Sequence, residues 1–459
     1  MKTILVCLIF LATVAQSHEV SFDDNNTFSS IRSISPGQSL QLKNVSLGHL
    51  GTVTLNLERF KVFADDAQVT IHGEHGSRYE PMPNNIYFVG GIQDMNKSQI
   101  FIGFLENGHI EGIVEMADGE KLTLDWQQNN QFKLTKSNSD KLVNSDTRFF
   151  NPEDYIELPE SEVLTQRSQT SQPRGPGIDY QLTVAIETDY EFYQIFNNTS
   201  TETNYIIGLI GYLSSMYYNE INTFVLVGNI SLWTTSADPW GASNSACALM
   251  EVGKYWNDNN SAINRAITHF MSGKSLGGGI AWRGVLCNSG FNYNISSYSC
   301  GFPYPDNSNY GGAYGVSGGL SGAFNPGNPQ PIWDIVVTSH EIGHNFDSPH
   351  THCYGGIGGN PNPVDECYNG EANCFSGTET LPGPQGQGSG TIMSYCHLRG
   401  GGLSNIALNL GTNHPYGVQP ERVPNVMRDH VEFMAGVNPQ CIMPASNDLI
   451  FMNGFEQSP

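Results

Sequence analysis

The sequence predicts an α/β (α+β) fold on a mixed twisted sheet, preceded by a β-rich unit and followed by a loop-rich C-terminal part. Three observations carry this. Short runs between about residues 20 and 134 alternate apolar and polar residues with period two. From Tyr180 onward, strand-like and helix-like runs succeed one another, the pattern of a sheet covered by helices. Beyond Cys7, every cysteine lies after residue 246, so the two halves differ in chemistry as well as in pattern.

In the first half, Thr52–Leu57 and Gln68–His72 alternate, and Asn85–Val89, Gln99–Phe104, Gly108–Met116 and Lys121–Asp125 follow with Gly and Asn-Gly turns between them. Together they define a β-rich unit over 18–135. Residues 136–177 turn to Ser, Asn, Thr, Gln, Pro and Glu and end on Gln172-Pro173-Arg174-Gly175-Pro176-Gly177. Such a stretch cannot bury enough apolar surface to order itself, so it reads as a linker with a processing site, Arg167 and Arg174 being the candidate cuts. The second unit spans 178–441. It opens with a strand at Tyr180–Glu187 and a helix over Thr203–Tyr218 that sets Ile206, Ile210, Leu213 and Tyr217 on one face. A strand at Phe224–Trp233, a helix over Asn260–Met271 and a strand at Gly279–Leu286 are expected next. Between Pro420 and Gly436, Val423, Met427 and Met434 recur at the spacing of a packing helix. Residues 442–459 read as a disordered tail.

Composition narrows the function classes. With 39% hydrophobic residues and 14% charged ones the chain can bury a core, and 50 glycines suit many turns and long loops. The balance of 21 Lys+Arg against 44 Asp+Glu, net −23, repels phosphate backbones and anionic lipid, which argues against nucleic acid as a partner. Lys2, the apolar run Ile4–Val14 and Ala15-Gln16-Ser17 predict a signal peptide over 1–17. That run is short of the ~20 residues a membrane span needs, so no stable membrane insertion is expected. An exported protein permits disulfides, and Cys247, Cys287, Cys300, Cys353, Cys367, Cys374, Cys396 and Cys441 are an even set without a CxxC pair. Which cysteine joins which is left open. A secreted monomer is expected; the sequons at Asn44 and Asn294 matter only in a eukaryotic host.

The chemistry lies in Trp333-Asp334-Ile335-Val336-Val337-Thr338-Ser339-His340-Glu341-Ile342-Gly343-His344-Asn345-Phe346-Asp347-Ser348-Pro349-His350. His340 and His344, four apart on a helix, project from one face and suit two ligands of one zinc. Glu341, offset around the helix, can reach a water on that zinc without being a ligand. Pro349 forces a turn that can bring His350 back as the third imidazole, leaving a fourth position for water. Chance produces such a pair of histidines with its glutamate in about 2% of comparable chains, and the added third histidine in under about 0.1%. His352 reads as a supporting or exposed histidine.

His340-Glu341-x-x-His344-x-x-x-x-x-His350 resembles the zinc signature of the metzincin metalloproteases. Gly388-Ser389-Gly390-Thr391-Ile392-Met393-Ser394-Tyr395 is similar to that family's methionine-bearing turn, which makes Met393 the expected apolar base of the site. The adamalysin or reprolysin-like group looks nearest over roughly residues 178–440. Its likeness implies a metzincin-like catalytic domain in which Gly279, Ile280, Ala281 and Trp282 form the edge strand for an extended substrate. Tyr87-Phe88-Val89-Gly90-Gly91 and Gly108-His109-Ile110-Glu111-Gly112 are similar to that group's propeptide, so the β-rich unit is expected to be a prodomain. Two departures stand out. Asp347 replaces the family's usual glycine; aspartate is one of the few other residues that tolerate a left-handed backbone. Tyr395, two residues past Met393, matches the astacin and serralysin spacing, where a tyrosine can ligate zinc and assist the oxyanion. A packed aromatic is the other reading of Tyr395.

The resemblance implies a secreted zinc endopeptidase acting on protein or peptide substrates, with one catalytic Zn2+ held by His340, His344 and His350 and with Glu341 and Tyr395 catalytic. Calcium is left open. A catalytically silent metzincin acting as a secreted binding protein is the alternative, for which Asp347 is the only support. A zinc-stabilised module without activity would need a fourth protein ligand, His352 being the nearby candidate. Residues 18–246 contain no cysteine, which excludes a cysteine switch in the mature-length chain. Latency is therefore expected from steric blocking with a carboxylate from the linker, Asp140 or Asp154.

Overall fold

Alternation along the first strands buries one face, and the strands over Ile86–Ile92 and Gln99–Phe104 are largely buried on both. The structure, a computed structural model, describes residues 18–22, 27–95, 98–116, 120–127, 131–136, 154–162, 177–322 and 331–445. Its first part holds β1 (His18–Ser21), α1 (Thr27–Arg32), β2 (Ser39–Ser46), β3 (Thr52–Phe60), β4 (Phe63–Gly73), β5 (Gly76–Pro81), β6 (Ile86–Ile92), β7 (Gln99–Phe104), β8 (Ile110–Glu115), β9 (Lys121–Gln127) and β10 (Gln131–Lys136). Eight of these strands form one sheet in the order β1-β2-β3-β6-β7-β8-β9-β10. Ile86, Phe88, Ile100 and Ile102 face a core of their own with Leu40, Leu42 and Leu55. Their neighbours Tyr87, Val89 and Phe101 point the other way, into the core of the second part.

That second part contains β11 (Tyr155–Ile156), β12 (Tyr180–Thr188), α2 (Tyr190–Phe196), α3 (Thr199–Ile221), β13 (Thr223–Trp233), α4 (Ser245–Asn259), β14 (Ile267–Met271), β15 (Gly279–Trp282), β16 (Phe291–Asn294), β17 (Asn307–Gly311) and β18 (Tyr314–Ser317). Then come α5 (Pro331–Asn345), α6 (Arg422–Val437) and β19 (Met443–Pro444). Its mixed sheet runs β11-β15-β18-β14-β12-β13-β4-β5, with β19 against β12. The pairs β12–β13, β12–β14 and β14–β18 are parallel and β15–β18 is antiparallel. No helix among the described residues is long and apolar enough to cross a membrane.

Gln68–His72, read from its alternation as a strand of the β-rich unit, lies in β4 but does not join the first sheet. Instead β4 pairs in parallel with β13, from Val227↔Phe63 to Trp233↔His72, so the N-terminal unit completes the second sheet. Helix α3 explains the partnership. It is capped by Asn198, whose side chain accepts from Thr201 N, and it ends at Asn222 in the left-handed region. Every residue from Glu202 to Tyr217 is buried, which requires cover on two sides. Strand β13 supplies one side. The first sheet supplies the other, close enough that a Cβ at Gly211 would stand 3.1 Å from Phe101 and Val62.

Residues Asn260–Met271 do not form the expected helix. The helix lies earlier, at α4, capped by Asn244, while Ile267–Met271 is the fully buried central strand β14. A short run buried on both faces carries no period that separates helix from strand, and Ile267, Thr268 and Phe270 favour the strand. The expected strand at Gly279–Leu286 stops at Trp282, and Gly284 turns the chain at φ +65°. The cysteines pair as Cys247–Cys300, Cys287–Cys441, Cys353–Cys374 and Cys367–Cys396. Within the stretch read as a linker, residues 154–162 are ordered because they borrow an edge: β11 adds in parallel to β15. Residues 1–17, Asp140, Arg167, Arg174 and the tail beyond 445 lie outside the described residues.

Candidate functional site

Helix α5 carries His340, Glu341 and His344 at its C-terminal end and packs against β15 and β18. Asn345 fixes it there, its Nδ2 donating to Trp282 O at 2.8 Å and Tyr314 O at 3.0 Å. The chain then reverses through Asp347, which takes φ +75°. Its amide donates to His344 O at 2.9 Å, and Ser348 N donates to Gly343 O at 3.2 Å. Asp347 thus does the conformational work of a glycine, and its carboxylate lies 3.1 Å from Arg283 Nε. Pro349 and His350 follow directly.

Each of the three imidazoles is tied through Nδ1. That of His340 donates to Ile392 O at 2.7 Å, that of His344 to Ser348 O at 2.7 Å, and that of His350 to Glu371 Oε2 at 2.6 Å. With a metal bound, donation from Nδ1 would leave Nε2 as the ligating nitrogen in every ring. Without one, His350 Nε2 carries a proton toward Asp154 Oδ1, and burial notwithstanding, the Asp154 and Glu371 carboxylates push that imidazole up to about 9. The three Nε2 atoms converge, all at buried residues, and with a carboxylate oxygen of Asp154 they lie within 4.8 Å of one another. Asp154 Oδ1 is 2.6 Å from His350 Nε2 and 3.3 Å from His344 Nε2, and Oδ2 is 3.3 Å from His340 Nε2. Neither His340 Nε2 nor His344 Nε2 has a hydrogen-bond partner although both are buried. Buried, unpartnered lone pairs aimed at one point fit a divalent cation: three nitrogens and a carboxylate are a tetrahedral N/O donor set. Burial pushes the Asp154 carboxyl up, but the imidazoles of His350 and His340 outweigh it and hold the group well below its ordinary range.

Glu341 lies beside this point. Its Oε2 is buried without a partner, and burial, with the Asp154 carboxylate, pushes its carboxyl up. Gly279 makes the room it occupies: a Cβ there would stand 2.1 Å from Glu341 Oε1. Met393 is fully buried beneath the helix, its sulfur 2.4 Å from where a Cβ on Gly343 would be. The turn that holds it also supplies the Ile392 carbonyl to His340 and the Met393 carbonyl to Thr351 N at 3.0 Å. Tyr395 lies over His350 at 4.3 Å between ring centroids, and its hydroxyl hydrogen-bonds Asp154, so the side chain reaches the centre of the site. Trp333, Val336, Val337, Gly278 and His397 line a shallow cleft that opens onto Asp154, His340, Glu341 and Tyr395.

The edge Gly279–Trp282 is already paired. Ala281 N donates to Asp154 O at 2.9 Å and Arg283 N to Ile156 O at 3.0 Å, while Arg283 Nη1 meets Glu157 Oε1 at 2.5 Å. His352 is buried, stacks on His350 and points its Nε2 at Glu371 Oε2, 2.9 Å away, so it stands behind the third imidazole rather than at the centre. The carboxylate at the fourth corner comes from Asp154, one of the two linker candidates. Sequence reasoning missed Glu371. The only signal was its place three residues before Cys374, and that becomes informative once Cys374 is known to join Cys353.

Residues 179–403 match the family model Reprolysin_5, described as metallo-peptidase family M12. No curated protein sequence matches the chain. Among solved structures, metalloproteinase-II from Bacteroides fragilis is similar at 12% identity and a TM-score of 0.37, over 73% of this chain and 90% of that one. A likeness that distant carries no weight for the fold or the site.

Proposed function

Because residues 179–403 match the model of metallo-peptidase family M12, we propose that the chain is a secreted zinc endopeptidase made as a latent precursor. The observation that carries this reading is the convergence of His340, His344 and His350 Nε2 on one buried point with the Glu341 carboxylate beside it. A zinc ion held by the three imidazoles would supply Lewis-acid polarisation of the scissile carbonyl and acidify the attacking water. Glu341 takes that water's proton and returns it to the leaving amine. Tyr395, whose hydroxyl reaches the same point, donates a hydrogen bond to the carbonyl oxygen as charge develops on it. Met393 gives the site an apolar floor. Gly279–Trp282 offers main-chain groups to an extended protein substrate, and the cleft lined by Trp333, Val336 and Val337 accepts an apolar side chain next to the bond cut.

Latency follows from the same geometry. Asp154 fills the fourth corner and Tyr155–Ile156 fill the substrate edge, so the precursor blocks both. The β-rich unit acts as the prodomain, residues 1–17 as the signal peptide, and processing falls in the linker between the two units. Asp347, which favoured a silent relative, closes its turn in the left-handed region that the family's glycine would adopt, so it gives no reason to favour the binding-protein alternative.

The test is casein hydrolysis by the processed form before and after chelation, with zinc content measured alongside. Loss of activity on chelation and recovery with one zinc per chain is the expected result. Activity indifferent to chelation would end the reading. A second, local check uses Gly279→Ala. The new methyl group must displace the Glu341 carboxylate, and a misplacement of about 1 Å costs about a hundredfold in rate, so kcat of the processed form should fall by that order with zinc retained.

A further inference from the structure

The three imidazoles are not held alike. His340 and His344 give their Nδ1 protons to main-chain carbonyls of Ile392 and Ser348, one on the methionine-bearing turn and one on the turn that follows α5. His350 alone gives its proton to a carboxylate, Glu371 Oε2 at 2.6 Å. Glu371 is distant in sequence, and the Cys353–Cys374 disulfide brings it there by closing the loop that leaves the site directly after His352. The same oxygen faces His352 Nε2 at 2.9 Å, so His352, stacked parallel to His350, braces the carboxylate from the side. The other oxygen, Oε1, accepts from the Tyr155 hydroxyl at 2.7 Å. Tyr155 follows Asp154, and its ring lies 4.7 Å from that of His344 and 5.1 Å from that of His350.

We infer that Glu371 is a positioning residue with two duties: it orients His350 for the metal, and it anchors the inhibitory segment through Tyr155. The inference rests on the metal reading above. A carboxylate behind a ligating imidazole fixes its tautomer and ring angle and makes Nε2 a stronger donor. The remaining oxygen, turned toward β11, is then available to a hydroxyl from whatever strand lies on Gly279–Trp282. In the precursor that strand is β11 and the hydroxyl is that of Tyr155. One carboxylate therefore serves both forms of the protein. It binds the plug to the element that the plug's own aspartate blocks, and removal of residues 154–156 leaves its hold on His350 unchanged.

The experiment uses the full-length chain with all four disulfides intact. Zinc retention is measured by competition with a chelator, first for the wild type; a wild type that holds no zinc sinks the metal reading itself and this inference with it. Given a zinc-loaded wild type, Glu371→Gln keeps the shape and an acceptor oxygen and should weaken retention about tenfold, and Glu371→Ala about a hundredfold. The cobalt-substituted Glu371→Ala protein should show an altered visible d–d spectrum, which a purely structural role for the loop would not produce. Retention within about twofold of wild type in both variants, with an unchanged spectrum, overturns the positioning duty. Tyr155→Phe tests the other duty and removes only a hydroxyl, so it reads out even where a Glu371 variant fails to fold. Loss of a hydrogen bond to a charged acceptor should speed proteolytic cutting within residues 154–162 about tenfold, with zinc retention as in wild type. An unchanged cutting rate overturns the anchoring duty.

Discussion

Changing Glu341 to glutamine is expected to lower kcat/KM of the processed enzyme by about 10²–10⁴-fold while the protein keeps its zinc. Successive helix residues are ~100° apart, which places Glu341 beside the face that carries His340 and His344. Its side chain enters the space left by the missing Cβ of Gly279, and one of its oxygens is buried with no partner, available to a water. Glutamine fills the same space and hydrogen-bonds the same water, but it cannot accept a proton. Binding should survive and chemistry should not, so the loss falls on kcat with KM little changed. Steady-state hydrolysis of a peptide and zinc content on the same preparations decide it. Equal rates in wild type and variant, both zinc-loaded, would remove Glu341 from the reaction and with it the enzyme reading.

Much of this site is local in sequence and was legible for that reason. The i, i+4 spacing of His340 and His344 is a property of one helix, and Pro349 guarantees a turn before His350. The return of Ile392-Met393 beneath the helix is not local, and only resemblance to a family placed it. Strands β12 and β13 and helix α3 announced themselves through long periodic runs. The miss at Asn260–Met271 has the opposite cause, since a central strand buried on both faces has no polar side to set a period. Strand β4 alternates as an ordinary strand does, and nothing in its own residues says which sheet it joins. That choice is made by β13, which offers an edge, and by α3, which needs cover on its far side. Glu371 was out of reach because a single glutamate among loops means nothing until the disulfide that places it is known. The ordering of residues 154–162 is the same lesson at the scale of a segment: poor in apolar residues, it folds only on a surface supplied by the rest of the chain.

Asp154→Ala should make the uncut precursor active. Besides the Tyr155 hydroxyl on Glu371 and the Arg283–Glu157 pair, two kinds of interaction hold the segment in the cleft, and their sizes differ. The main-chain bonds from Ala281 N and Arg283 N are ordinary hydrogen bonds, worth about 0.5–1.5 kcal/mol each. The Asp154 carboxylate is buried among three imidazoles, and removing one partner of such a buried pairing costs about 3–5 kcal/mol. That is a factor of about 10²–4 × 10³ in the ratio of closed to open precursor, so the carboxylate dominates and the strand pairing assists. Activity of the uncut Asp154→Ala chain should rise by that order over the uncut wild type, with zinc retained, and Asp154→Asn should fall between the two. Cutting the wild type within residues 163–176 should behave differently. The cut leaves Asp154 attached to the N-terminal unit, which remains bound through the β4–β13 ladder and the cover over α3. The nicked wild type should therefore co-elute as one species on gel filtration and stay largely inhibited until that unit is removed or degraded. An uncut Asp154→Ala precursor as silent as the wild type would shift the block from the carboxylate to the strand on Gly279–Trp282, and full activity on nicking alone would show that the N-terminal unit does not hold the plug in place.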